Sequence, residues 1–93
     1  QYKKIPLPEE FSINAYPNPF NGTFNLAVET PKRGDINIDI YDNLGNIIYS
    51  TTEYVVEKEV ISFDLNKMNL SEGVYIIWAT MGDEKQILKL VKL

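Results

Sequence analysis

The chain predicts an all-β fold, an immunoglobulin-like antiparallel β-sandwich of about seven short strands. Three observations carry this expectation. Apolar and polar residues alternate with period two through most of the sequence, as they do in strands with one buried face. Turn signals interrupt the alternation every eight to twelve residues or so. No segment repeats its apolar residues at helical spacing over more than a turn.

The elements follow in order. Phe11–Ala15 alternates and then meets Tyr16-Pro17-Asn18-Pro19-Phe20-Asn21-Gly22. Each proline restricts its own φ and the residue before it, and Asn21-Gly22 tolerates positive φ, so this is a stiff turn. Tyr16 and Phe20 are expected to pack onto the end of the sandwich. Thr23–Glu29 alternates again, with Phe24, Leu26 and Val28 on one face, until Thr30-Pro31-Lys32-Arg33-Gly34 breaks it. Ile36, Ile38 and Ile40 give the clearest strand. Asp42-Asn43-Leu44-Gly45 is a hairpin turn in which Gly45 takes the positive φ. Asn46–Ser50 returns as its partner, and Thr51–Lys58 reads as a polar connection or edge. Glu59–Leu65 turns Ile61, Phe63 and Leu65 inward. Asn66–Gly73 is the one non-β stretch, a single helical turn with Met68 and Leu70 over the core. Val74–Thr80 is a continuous apolar run, which fits a central strand. Met81–Lys85 is a tight turn, and Gln86–Leu93 is the last strand. The expected core is Phe24, Leu26, Ile36, Ile38, Ile40, Phe63, Leu65, Val74, Ile76 and Trp78.

Composition narrows the chemistry. Ninety-three residues allow one domain. The net charge of −4 gives no basic footprint for nucleic acid. No apolar run approaches the ~20 residues of a membrane-spanning helix. With no Cys and no His, thiolate metal sites, cysteine nucleophiles and histidine-dependent triads are excluded. The chain starts at Gln1 with no export-signal pattern, so it reads as a piece of a longer polypeptide. Gln1–Glu10, with Pro6 and Pro8, reads as the end of a linker from an upstream domain.

No catalytic constellation stands out. Asp39, Glu53, Glu57, Glu59 and Asp64 fall on polar strand faces or loops, where charge is expected, and none accompanies a plausible nucleophile. Asp35, Asp39, Asp42 and Asn43 carry calcium-type oxygens but not the EF-hand spacing, and the turn accounts for Asp42-Asn43. No metal, cofactor or enzymatic activity is expected. Tyr41, Tyr49, Tyr54, Tyr75 and Trp78 would serve a carbohydrate-binding module only as a flat exposed row; Tyr41 is the best placed for exposure, and Trp78 is expected in the core.

Four patterns follow one another along the chain. The first is Tyr16-Pro17-Asn18-Pro19-Phe20 with Gly22. The second is the alternating isoleucine run from Gly34 through Tyr41 to Gly45. Leu70, Gly73 and Tyr75 form the third, and the lysine-apolar strand Lys85–Leu93 the fourth. Each alone is turn chemistry plus alternation. In this order they resemble the C-terminal sorting domain, type A, of the type IX secretion system of Bacteroidetes and related phyla, over about residues 11–93.

The resemblance implies a non-catalytic signal at the end of a cargo protein. The cargo would cross the inner membrane on a separate leader, and the outer-membrane translocon would then recognise the folded domain. The product would reach the cell surface or the medium, in many cargoes with the domain removed. The residues offered for recognition are Lys85, Lys89, Leu90, Val91, Lys92 and Leu93 of the last strand, with Pro17, Asn18 and Pro19 of the turn, which has a second reading as a rigid corner, the one favoured on physical grounds. That strand would be read by strand addition at a sheet edge. Lys89 and Lys92 have a second reading as edge charges that suppress aggregation. The alternatives to a sorting signal are a carbohydrate-binding module and a structural immunoglobulin-like spacer of a secreted hydrolase.

Overall fold

The computed structural model describes residues 10–93. Apart from Glu10, the expected linker lies outside the described residues. Seven strands form two antiparallel sheets. In chain order they are β1 (Ser12–Tyr16), β2 (Thr23–Glu29), β3 (Gly34–Tyr41), β4 (Ile47–Val55), β5 (Lys58–Asp64), β6 (Gly73–Met81) and β7 (Glu84–Lys92). The smaller sheet has the order β1-β2-β5, and the larger has β4-β3-β6-β7. This is the expected sandwich. The chain crosses between sheets after β2, β4 and β5, and stays within one sheet at the three remaining connections.

The inner faces meet in one core. Phe24, Leu26 and Val28 from β2 face Ile36, Ile38 and Ile40 from β3, with Phe63 and Leu65 closing one end. Phe24 stacks on Phe63 with ring centroids 4.8 Å apart, and Phe20 meets Phe24 edge-on at 5.3 Å. Such arrangements add about 0.5–1.5 kcal/mol per pair beyond the area buried.

The central strand β6 turns the opposite way from the expectation. Tyr75, Ile77 and Ala79 are buried, while Val74, Ile76 and Trp78 lie half-buried on the outer face of the sheet. Both parities of Val74–Ala79 are apolar, so alternation could not choose between them. Pairing decides: Ile77 sits opposite Ile40 and Ala79 opposite Ile38, and directly opposed residues share a face. Trp78 therefore packs against Tyr41 on the outside, at 6.1 Å and tilted 57°.

Four further expectations change. The partner of β3 does not end at Ser50 but continues to Val55, because Ser50 and Thr52 hydrogen-bond across to Asp39 and Asn37 on the outer face. The β6–β7 turn shortens to Gly82-Asp83. The helical turn is a 3₁₀ segment, Asn66–Met68, and leaves Met68 exposed while Leu70 packs on the core. At the Pro turn, Phe20 is 1% exposed but Tyr16 is 43% exposed. Alternation puts Tyr16 on the outward side of β1, one place after buried Ala15.

Candidate functional site

The Pro turn and the last strand, distant in sequence, meet at one end of the sandwich. After β1, the peptide bonds before Pro17 and Pro19 are both cis, and the chain folds back beside β7. The Asn18 side chain lies against the outer edge of that strand. Its Nδ2 donates to the Lys89 carbonyl at 2.8 Å, and its Oδ1 accepts from the Val91 N–H at 2.9 Å. One amide side chain thus supplies the donor and acceptor that a neighbouring strand would offer. Phe20 continues the ladder with its backbone, donating to the Val91 carbonyl at 2.8 Å and accepting from the Leu93 N–H at 2.9 Å. Phe20 and Lys92 form a parallel bridge.

The residues around this clamp explain why it forms. Phe20 is anchored because its ring fills the core between the sheets. Full burial of such a side chain is worth about 1.5–3 kcal/mol. Gly22 follows with φ +114°, a conformation that L side chains rarely adopt, and its carbonyl accepts from Leu65 N–H at 2.8 Å. A Cβ at Gly22 would collide with the Asn66 side-chain oxygen. The Asn66 amide is itself held by Asp64 at 2.9 Å. The turn is therefore braced from the β5 side and bonded to β7 on the other.

Pro17, Asn18 and Pro19 come together with Lys89, Val91, Lys92 and Leu93. Leu90 belongs to the same strand but is 0% exposed and faces the core, so it holds the strand in place and offers no surface. Lys89 projects from the outer face beside Ile76, its paired residue on β6. Lys92 Nζ donates to the Leu93 carbonyl at 2.6 Å. Lys85 stands apart. It lies four residues before Lys89, roughly 13 Å along the strand, with its Nζ 4.9 Å from the centre of the Trp78 ring. Strand addition at residues 89–93 would first have to displace the Pro turn, which already occupies those edge groups.

The β3–β4 hairpin stands at the same end. Asp42 Oδ1 accepts from the N–H groups of Leu44 and Asn46, both at 2.9 Å, and Oδ2 accepts from the Asn46 side chain at 3.3 Å. The Asn46 N–H, with the other turn donors, holds the Asp42 carboxyl below the usual carboxylate range. Gly45 has φ +86°, as the turn requires. Next to it, Tyr41, Val74, Ile76 and Trp78 line a shallow groove of about 520 Å³. The five aromatic residues considered for sugar stacking do not make one flat row. Tyr75 is buried with its hydroxyl on the Ser71 carbonyl, Tyr49 packs edge-on to Phe63, and Tyr41 and Trp78 are tilted against each other.

The part played by the Asn18 side chain and the Phe20 backbone is the feature that sequence reasoning missed. An amide flanked by two prolines, which themselves lack N–H donors, was the available signal.

No helix among the described residues is long and apolar enough to cross a membrane. No curated protein matches the chain. Residues 14–93 match the family described as the secretion system C-terminal sorting domain. That span starts within β1 and takes in the whole clamp. The chain belongs to the family of secretion system C-terminal sorting domains, the signals that direct proteins through the type IX system to the cell surface or the extracellular space.

Proposed function

We propose that the outer-membrane translocon reads this domain at its Pro-turn end, as one composite surface made of Pro17, Asn18 and Pro19 together with Lys89, Val91, Lys92 and Leu93. Leu90 supports that surface from within the core, and Lys85 contributes at most at its periphery. The observation that carries the reading is the pair of Asn18 hydrogen bonds to Lys89 and Val91, which makes one site of the two segments. In this reading the domain performs no chemistry. It carries a covalently attached upstream cargo whose activity lies elsewhere.

The scaffold suits recognition of a folded signal. The main chain of residues 89–93 is bonded on its outer side, so side chains and the turn's ring surfaces are what a receptor meets. Lys89 and Lys92 then serve both readings of their charge. They place cations on an acidic domain, and they discourage pairing of the edge with other chains.

The test is a fusion of residues 1–93 to the C-terminus of a fluorescent protein with an N-terminal export signal, in a host with an intact type IX system. Fluorescence outside the cell that disappears in a translocon-deficient strain is the expected result. The variant Lys89→Glu/Lys92→Glu should remain folded and accumulate in the periplasm. Equal export of the folded charge-reversed variant would refute a role for these lysines in the composite surface. Equal retention of the parent fusion in both strains would remove the sorting assignment for this chain in that host.

A further inference from the structure

The outer faces of the two sheets differ. On the smaller sheet that face is mainly polar, with Thr23, Asn25 and Glu29 of β2 beside Ser62 and Asp64 of β5. Its large apolar side chains, Tyr16 and Val60, stand on strands separated by β2. The larger sheet instead carries an unbroken apolar patch over three neighbouring strands. Tyr41 of β3 is paired with Ile76 of β6, and on the β7 side Val74 is paired with Val91 and Trp78 with Ile87. Directly opposed residues share a face, so these six side chains adjoin one another. Ile87 is 54% exposed, and the other five are half-buried. A connected apolar patch on the outward face of an antiparallel sheet, where polar residues are the rule, marks a contact surface.

The patch contains the groove beside the β3–β4 hairpin, lined by Tyr41, Val74, Ile76 and Trp78. The charges around it differ in what they can offer a ligand. Asp42, on the hairpin side, is occupied by the N–H groups of Leu44 and Asn46, and Asp39 accepts from the Ser50 hydroxyl. On the β7 side Lys89 is exposed next to Ile76, and the Lys85 ammonium lies over the Trp78 ring. An apolar floor is thus bordered along one rim by cations. That combination suits a segment with a large apolar side chain and a carboxylate beside it, since a lysine donates its strongest hydrogen bonds to carboxylates.

We propose that this patch is a second part of the docking surface for the type IX secretion machinery, and that it receives an extended segment of that machinery with the apolar and acidic chemistry just described. The apolar side chain enters the groove over Ile76, and the carboxylate meets Lys89. Continuity selects this occupant. Lys89 and Val91 belong to the Pro-turn surface, and the same two residues are the pairing partners of Ile76 and Val74. Val91 is also the strand residue that Asn18 and Phe20 hold. A receptor seated on the Pro turn and Lys89 already touches the margin of the patch. A lipid surface fits less well. Asp42 and Asn43 line the same groove and Asp39 is paired with Trp78, and these polar groups would have to leave water. The inference rests on the sorting reading of the Pro-turn end, and adds to it a face and the chemistry of what that face binds.

Two β-branched residues of similar exposure give the test. Ile87 on the patch is 54% exposed, and Val60 on the polar outer face of the smaller sheet is 57% exposed. Ile87→Glu and Val60→Glu are placed separately in the fluorescent fusion, with folding checked by the urea midpoint of the purified chain. At position 87 the new carboxylate stands two residues from both Lys85 and Lys89 on one face, where it engages the cations and blocks the patch. Translocon-dependent fluorescence outside the cell should fall at least about tenfold for Ile87→Glu and stay within about twofold of the parent for Val60→Glu. If Ile87→Glu unfolds, Ile87→Ser serves in its place. With p-benzoylphenylalanine in place of Ile87, illumination of the intact host should join the fusion to an outer-membrane component of the type IX system, and in place of Val60 it should not. Full export of the folded Ile87 variant, with the parent also exported, overturns this inference and leaves the sorting reading standing. Retention of the parent in both strains overturns the two together. Two other occupants would also overturn it. A doubled sedimenting mass that Ile87→Glu abolishes would assign the patch to a second copy. A blue shift of Trp78, the chain's single tryptophan, on adding phosphatidylglycerol vesicles would assign it to a lipid surface.

Discussion

Replacing Asn18 with alanine removes both side-chain bonds of the clamp and leaves the rest of the fold untouched. The donor to Lys89 and the acceptor from Val91 are lost together. An intramolecular hydrogen bond contributes about 0.5–1.5 kcal/mol net. Both of these are exposed, so water takes over the freed groups and the lower half of that range applies, giving about 1–2 kcal/mol for the pair. The loss is local before it is global, because the Phe20 backbone bonds and the buried Phe20 ring still hold residues 91–93. Amide hydrogen exchange is the assay. The Val91 N–H has Asn18 Oδ1 as its partner, so its exchange should accelerate about 5–30-fold, with a smaller change at Leu93 and little at Ile38 or Ile77. Urea unfolding should lose about 1–2 kcal/mol, and the melting temperature should fall by about 5–15 °C, the usual conversion for a domain of this size. Unchanged exchange at Val91 together with an unchanged urea midpoint would refute the clamp.

Three further outcomes are expected. Gly22→Ala forces a side chain into a positive-φ position against Asn66 and should destabilise the domain by about 1–3 kcal/mol in urea. Ile77→Ala empties the core and should cost about 2–5 kcal/mol, whereas Ile76→Ala on the half-buried outer face should cost less than about 1.5 kcal/mol; equal losses would mean that β6 faces the other way. The depressed carboxyl of Asp42 contributes stability that is present above its unfolded value of 3.8 and lost as pH falls through the lower folded value. Asp42→Asn should therefore be less stable than the parent near neutral pH and show a shallower loss of thermal stability on acidification below about pH 4.

Much of the fold could be read from alternation because β2, β3 and β5 each carry their large apolar residues mainly on one parity, the exposed Val60 of β5 apart. Phe24, Leu26, Ile36, Ile38, Ile40, Phe63 and Leu65 are buried as expected for that reason. The failures share a cause. Where both parities are apolar, as in Val74–Ala79, the choice of face is made by register against β3, which is a long-range fact. Where polar residues are β-branched, as at Thr51 and Thr52, composition left a connection and an edge strand both open, and strand propensity with cross-strand hydroxyl bonds makes the edge strand through Val55. In the candidate site, the two segments were visible by their motifs, but their contact was not. Asn18 lies 71 positions from Lys89, and an asparagine between prolines is otherwise explained by turn chemistry. Strand periodicity puts Leu90 on the opposite face from Lys89 and Val91, and the register with buried Tyr75 shows that this face is the core.

The separation bridged by the clamp has a consequence for timing. In an extended chain, residues 17–20 and 89–93 are both present, but no composite surface exists. It appears only after β1 and β7 have been brought side by side and the Phe20 ring has found the core, which requires both sheets. A nascent product lacking the last strand would display the Pro turn alone, and a misfolded one would display both segments without the joined form. A receptor that recognises the joined form would in effect inspect its passengers, admitting chains that are fully made and correctly folded at this end and passing over the rest. Address and certificate of completion would then be the same few hydrogen bonds.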